Sequence, residues 1–252
     1  MSQESGVKTE EKKQHFDDIY MASTPVPFKE RIIDALDYIS DNNNRQTFDR
    51  LILPWCQQQQ SKPIPYVDLA CCFGNTTLAI AHEMTVDEIR ENWKDAETAK
   101  QPLKSRRLNL QTTGIDISEN AVNYAQNAGI FDQTIQADLN QPPADKKAQV
   151  LKTMQEADIL VSTAALVYLE ESAIDELIGA FAQAPREGYA LVNFLNPFGL
   201  EKADATKRIL LKHLDFVGST ATRHRRMSAL EQENYPGEEW SLLEIWVLKR
   251  TP

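Results

Sequence analysis

Residues 66–77, YVDLACCFGNTT, constrain this chain more than any other stretch. An apolar lead with the look of a strand runs into a turn of small residues, and a helical pattern opens at Asn75 or Thr76. Small side chains at such a turn let backbone approach a ligand, and the first N–H groups of the helix have no partner inside it. With only one glycine, Gly74, the same window also suits an ordinary tight strand-to-helix connection, so by itself it leaves both readings open.

Two acids downstream favour a ligand site. Residues 109–117 read as a second strand with Asp116 at its tip. Ser118 suits the N-cap, and Gly129 the C′ position, of the helix that follows. Asp138 ends a third short strand-like run. An acid after the second strand of a doubly wound sheet can accept from both hydroxyls of a ribose, and acids at successive strand ends line the edge where open α/β sheets bind ligands. Taken alone, Asp116 and Asp138 serve equally well as helix caps.

Read in order, these motifs resemble the class I S-adenosylmethionine-dependent methyltransferases of small-molecule type. Asp68-x-Ala70-x-Cys72-x-Gly74 resembles the family's acidic, glycine-rich first motif, and residues 158–169, DILVSTAALVYL, resemble its fourth nearly throughout. The resemblance covers residues 64–250. It implies an α/β, doubly wound, Rossmann-like sheet of seven strands, mostly parallel with an antiparallel last strand, and S-adenosyl-L-methionine as cofactor. It places Ala70, Cys72 and Gly74 on the turn facing the methionine portion, with Asp68 orienting that turn or meeting the cofactor ammonium. Asp116 would take the ribose and Ile117 pack on the adenine. Asp138 would accept from the adenine amino group, with Leu139 alongside. Ser162, Thr163 and Ala164 would line the route to the reacting methyl.

This chain departs from the family pattern twice. Ala70 and Cys72 stand where the family usually has glycine, the residue that reaches positive φ cheaply and has no Cβ to hold a ligand off. Asp68 and Asp116 are 48 residues apart (116 − 68), against roughly 20 in a compact dinucleotide-type unit. The excess reads as a helical insertion over residues 84–107, opened by the capping-box pattern Thr85-x-x-Glu88 and carrying Ile89 and Trp93 to bury.

Ahead of the first motif, residues 1–13 read as a disordered tail and residues 14–62 as an N-terminal helical lid, with the methyltransferase domain over residues 63–252. Helical patterns cover residues 29–39 and 47–59, and Thr24-Pro25-Val26-Pro27 breaks any helix before them. In the resembled family this region often folds over the cofactor, which makes Tyr20, Met21 and Phe28 candidate acceptor contacts. Simple packing of these side chains onto the sheet is the alternative.

A net charge of -10 argues against a nucleic-acid partner. Three cysteines, two of them adjacent, do not suggest a disulfide framework, which points to a reducing, cytoplasmic setting. No spacing suggests a metal site, no apolar run is long enough to span a membrane, and the polar start is unlike a signal peptide. A homodimer stays open.

Methyl transfer from a sulfonium needs alignment and exclusion of water rather than a nucleophilic side chain. A general base helps only where the acceptor must lose a proton, and the sequence fixes no catalytic residue. After the fourth strand the chain lacks the Asn/Asp-Pro-Pro-Tyr/Phe tetrapeptide with which the family's base-amine and glutamine methylators hold a planar nitrogen. A metabolite or amino-acid-like acceptor is therefore expected, with Tyr168 and Asn196 as further contacts and biosynthesis as the setting. The alternatives are a catalytically silent, methyltransferase-like binding protein and a protein methyltransferase. A nicotinamide dehydrogenase would want an intact G-x-G-x-x-G, which is absent.

Overall fold

The computed structural model describes residues 16–59 and 62–251, so the expected tail over residues 1–13 lies outside the described residues. A seven-stranded sheet runs through the chain in the order β3-β2-β1-β4-β5-β7-β6. Its strands are β1 (Ile64–Leu69), β2 (Leu110–Asp116), β3 (Gln133–Gln136), β4 (Ile159–Ser162), β5 (Gly188–Asn196), β6 (Asp215–Arg226) and β7 (Trp240–Arg250). Strands β1 to β5 pair in parallel, and β7 lies antiparallel between β5 and β6. This is the doubly wound methyltransferase topology expected from the sequence. Strands β4 and β5 are buried on both faces, which is why they read as continuous apolar runs.

The helices are α1 (Asp17–Tyr20), α2 (Val26–Phe28), α3 (Ser40–Leu51), α4 (Leu53–Gln58), α5 (Asn75–Ala81), α6 (Val86–Asn92), α7 (Glu119–Asn127), α8 (Ala144–Glu156), α9 (Glu171–Ala182), α10 (Leu200–His213) and α11 (Ala229–Asn234). One core layer joins α3, α5 and α7 to the sheet through Phe48, Leu78 and Val122. The other joins α8, α9 and α10 to the opposite face through Met154, Ile178 and Leu210. The first layer begins at Phe16 and ends at Val247, so the N-terminal helices share a core with the sheet.

The N-terminal region departs most from its sequence pattern. Pro27 does not stop a helix; it sits in the first turn of α2, where its missing N–H costs nothing. Residues Lys29–Asp34 form a π-helical turn and the pattern ends there rather than at Ile39. Helix α3 starts at Ser40, well before residue 47, and breaks from α4 at Ile52. Backbone hydrogen bonds tie this region to β6: Ile39 N–H to the His224 carbonyl at 3.0 Å and Arg226 N–H to the Leu36 carbonyl at 2.6 Å. The segment expected as an insertion packs into the same core as the N-terminal helices. Thr85 and Glu88 close a capping box on α6, and Trp93 is wholly buried against the Phe28 and Phe73 rings at 6.0 and 6.3 Å.

Candidate functional site

After β1 the chain turns through Ala70, Cys72 and Gly74 with φ of 55, 50 and 83°. An L-residue pays roughly 1–2 kcal/mol in that region. The turn therefore holds two side chains in the shape glycine adopts freely, which aligns it with the glycine-rich pattern despite the substitutions. At Gly74 no side chain fits, since a Cβ would meet Ile130 Cγ2 at 2.8 Å. Ala164, just past β4, is also left-handed at φ 54°. Side chains held in sparsely populated backbone regions cluster at ligand clamps, where surrounding structure over-determines them.

Two of the three predicted acids, Asp68 and Asp116, bracket this turn, and each of the three also has a structural duty. Asp68 is buried and accepts from the Thr77 hydroxyl at 2.7 Å, tying β1 to the first turn of α5. Burial pushes its carboxyl up to about 7, with the nearby Asp41 and Asp116 adding to the shift. Asp116 accepts from Cys72 N–H at 2.8 Å and from Ser118 N–H at 2.9 Å, joining the turn to the tip of β2. Burial raises its pKa against those two bonds. Asp138 accepts from Asn140 N–H at 2.9 Å and shapes the loop after β3. A carboxylate has about four lone-pair positions, so each acid retains acceptor capacity beyond these bonds. Burial also pushes the Cys72 thiol well above its ordinary value, with the carboxylates of Asp116 and Asp68 adding to the rise.

Beside Asp116, Ile117 is 57% exposed, an apolar platform at the tip of β2. Leu139 is buried in the second core layer. By strand alternation the Ser162 side chain shares a face with Leu160 in that layer, away from the turn, while Thr163 faces the turn side. Tyr20 and Met21 are exposed, and the Met21 carbonyl accepts from Asn120 Nδ2 at 2.9 Å, so this segment crosses the start of α7. Phe28 is instead buried among the rings of Tyr20, Tyr38, Phe73 and Trp93 and anchors the segment from beneath. Tyr168 is 53% exposed after β4, and Asn196 is exposed at the end of β5. Asn140 joins the two loops by donating to the Tyr168 carbonyl at 3.1 Å and accepting from Glu170 N–H at 2.7 Å.

Two residues absent from the sequence-based site, Asp41 and Asn44, reach it from α3. Asp41 is wholly buried and accepts from Asn75 Nδ2 at 2.9 Å, the Thr76 hydroxyl at 3.0 Å and the Tyr38 hydroxyl at 3.2 Å. Burial pushes its carboxyl up to about 6, against those donors. Asn44 Nδ2 lies 3.0 Å from Thr163 Oγ1, and Thr163 Oγ1 lies 3.0 Å from Thr76 Oγ1. The only sequence signal was the spacing of Asp41, Asn44 and Phe48 along one helical face. Among the described residues no ion pair reaches Asp41, Asp68 or Asp116, and no group of three or more side chains could hold a metal ion. Surface clefts beside Cys56 and Arg107, and between α9 and α10, touch none of these residues. No described helix is long and apolar enough to cross a membrane.

No family model matches the chain, and no curated protein matches it. Solved structures do. The [4+2]-cyclase SpnF is 14% identical and superposes on 83% of this chain and 80% of its own with a TM-score of 0.52. Magnesium protoporphyrin IX methyltransferase from Synechocystis PCC 6803, with S-adenosylmethionine bound, is 14% identical over 82% of this chain and 79% of its own, at a TM-score of 0.45. Geranyl diphosphate C-methyltransferase from Streptomyces coelicolor is 9% identical over 79% of each chain, at 0.43. Strand order and the antiparallel β7 make this the fold of the class I methyltransferases.

Proposed function

We propose that this chain binds S-adenosylmethionine along the carboxyl edge of β1 and β2 and transfers its methyl group to a small-molecule acceptor. The observation that carries this reading is the turn after β1. It keeps the left-handed conformation of a glycine-rich cofactor turn at Ala70 and Cys72, where ordinary residues pay for it, and is ringed by buried acids with no cation among their described partners. Such a site suits a ligand that brings positive charge. Bound there, the cofactor supplies an activated methyl for in-line displacement. Asp116 and Asp138 offer acceptors to hydroxyl and amino groups, and Ile117 offers a flat apolar surface to a base. Tyr20 and Met21 close the edge from above and exclude water. Tyr168 and Asn196, exposed after β4 and β5, face the acceptor side, which would sit among small apolar and hydroxyl groups.

Fold alone does not settle chemistry, and a cyclase shares this one. A second reading, cofactor binding without methyl transfer, is favoured by the Cys72 thiol, which sits in the turn among Asp116, Asp68 and Asp41. Calorimetric titration with S-adenosylmethionine and S-adenosylhomocysteine, on wild type and Ile117→Glu, tests the site. Ile117 is exposed, so the variant keeps its fold. We expect micromolar binding by wild type and at least a tenfold loss in the variant. Wild type that binds neither compound would remove the reading. Tight binding with no methyl release on a broad acceptor panel would select the second.

A further inference from the structure

The carboxyl edge holds one charged group that the methyltransferase motifs do not account for. Asp41 comes from the N-terminal helix α3, yet its carboxylate accepts from the side chains of Asn75 and Thr76, the first two residues of α5. A buried carboxylate without a counter-ion is costly, and packing alone would be served as well by a neutral residue.

The hydrogen bonds around Asp41 run in one direction. Thr76 Oγ1 lies 3.0 Å from both Asp41 Oδ1 and Thr163 Oγ1, and it has one proton. An ionised carboxylate only accepts, so that proton goes to Asp41. Thr163 then donates to Thr76 and accepts from Asn44 Nδ2 at 3.0 Å. Asn44 Oδ1 accepts in turn from Asn193 Nδ2 at 3.1 Å. Each hydrogen in the series points toward Asp41, and the far end is left with an acceptor and no donor. Asn193 Oδ1 is that acceptor, in a side chain wholly buried, with no partner among the described residues. The series ties α3, α5, the end of β4 and β5 together at the level of the turn.

Charge and donor count agree on what this region lacks. Asp68, Asp116 and Asp41 are near enough that Asp68 feels both neighbours. A ligand that binds its apolar end on Ile117 must lay its other end across the turn toward α5 and Thr163. We propose that Asp41 is a positioning residue for the amino-acid end of the cofactor: through Asn75, Thr76 and Thr163 it fixes the wall against which a cationic, donor-bearing group sits. This rests on the cofactor reading above.

The test uses three ligands on the whole chain: S-adenosylmethionine, S-adenosylhomocysteine, and 5′-methylthioadenosine, which keeps the base, ribose and thioether but has no amino-acid end. Asp41→Asn replaces an acceptor with a group that also donates, facing the donors of Asn75 and Thr76. Thr76→Val breaks the same series from the other side and keeps the acid, and it carries the comparison if Asp41→Asn does not fold. Both variants should lose tenfold or more in affinity for the first two ligands and less than twofold for the third. Equal losses for all three would mean a general loosening of the edge and would overturn the proposal, as would no loss for any. Failure of wild type to bind any of them removes the cofactor reading itself and this inference with it, a result visible without the variants.

Discussion

Replacing Ala70 with glycine should stabilise this protein, the reverse of what that change does almost everywhere else. In an exposed helix interior, alanine to glycine costs about 1 kcal/mol, because glycine has more freedom to lose on folding. Ala70 sits at φ 55°, where an L-residue pays roughly 1–2 kcal/mol that glycine does not. Subtracting about 0.4–1 kcal/mol for the added freedom of the unfolded chain leaves a net gain near 0.5–1 kcal/mol. Little packing is lost, since Ala70 gives up only a half-exposed methyl. The control is Ala148→Gly, an exposed position in the middle of α8. Urea unfolding of wild type and both variants, read as midpoint shifts at constant slope, gives the comparison. Ala70→Gly should move the midpoint up and Ala148→Gly down. Cys72→Gly should move the same way as Ala70→Gly but less, because its half-buried thiol also packs against the core. If Ala70→Gly and Ala148→Gly shift together, the turn is not left-handed at Ala70, and its equivalence to a glycine-rich cofactor turn is lost.

Gly74→Ala combines a positive φ of 83° with a Cβ 2.8 Å from Ile130, so it should destabilise by about 2–3 kcal/mol and abolish cofactor binding, measured by melting and titration. The buried acids make a pH prediction. Asp41 and Asp68 carry folded pKa values of about 6 and about 7, raised by burial above the 3.8 of an ordinary aspartate. A carboxyl with a raised folded pKa binds its proton more tightly when folded, so the stability it lends is present below about pH 4 and lost as pH rises through 6 to 7. At about 1.4 kcal/mol per unit, Asp68 alone accounts for a few kcal/mol between pH 4 and 8. Asp68→Asn should flatten the fall of melting temperature over that range, and an unchanged slope would show that this acid is not titrating there.

How much of this was legible in the sequence follows from where the signal resides. Buried parallel strands are written as apolar runs, and Ser118 and Gly129 mark the ends of α7 because caps act through single residues. The first half of α3, Ser-Asp-Asn-Asn-Asn, is made of residues that compete with the helix backbone for hydrogen bonds, and its tertiary partners on α5, α6, β6 and Thr163 just past β4 hold it helical. The same tertiary bonds bring in Asp41 and Asn44, so the segment and its role were hidden together. The short helix α11 is announced by single residues too, the Ser228 and Glu231 capping box. Strand β6 pairs with β7 from Asp215 along the exposed edge of the sheet, where burial imposes little pattern on the sequence. The turn after β1 was placed correctly, but whether Ala70 and Cys72 would take the conformation of the residues they replace depends on the surrounding structure.

The bonds between residues 36–44 and residues 223–226 have a consequence for assembly. Asn43 donates to the Arg223 carbonyl at 3.0 Å and Ser40 Oγ lies 2.5 Å from His224 Nδ1, partners 180 and 184 positions apart in the chain. Closing so long a loop comes after local structure has formed, because its entropy is spent before any contact repays it. Helix α3 has little propensity of its own, so it waits for β6. The wall that Asp41 holds is thus among the last parts of the molecule to take shape, and a chain cut short of β6 loses more than an edge strand. It would keep the β1 turn and its acids but leave them uncovered.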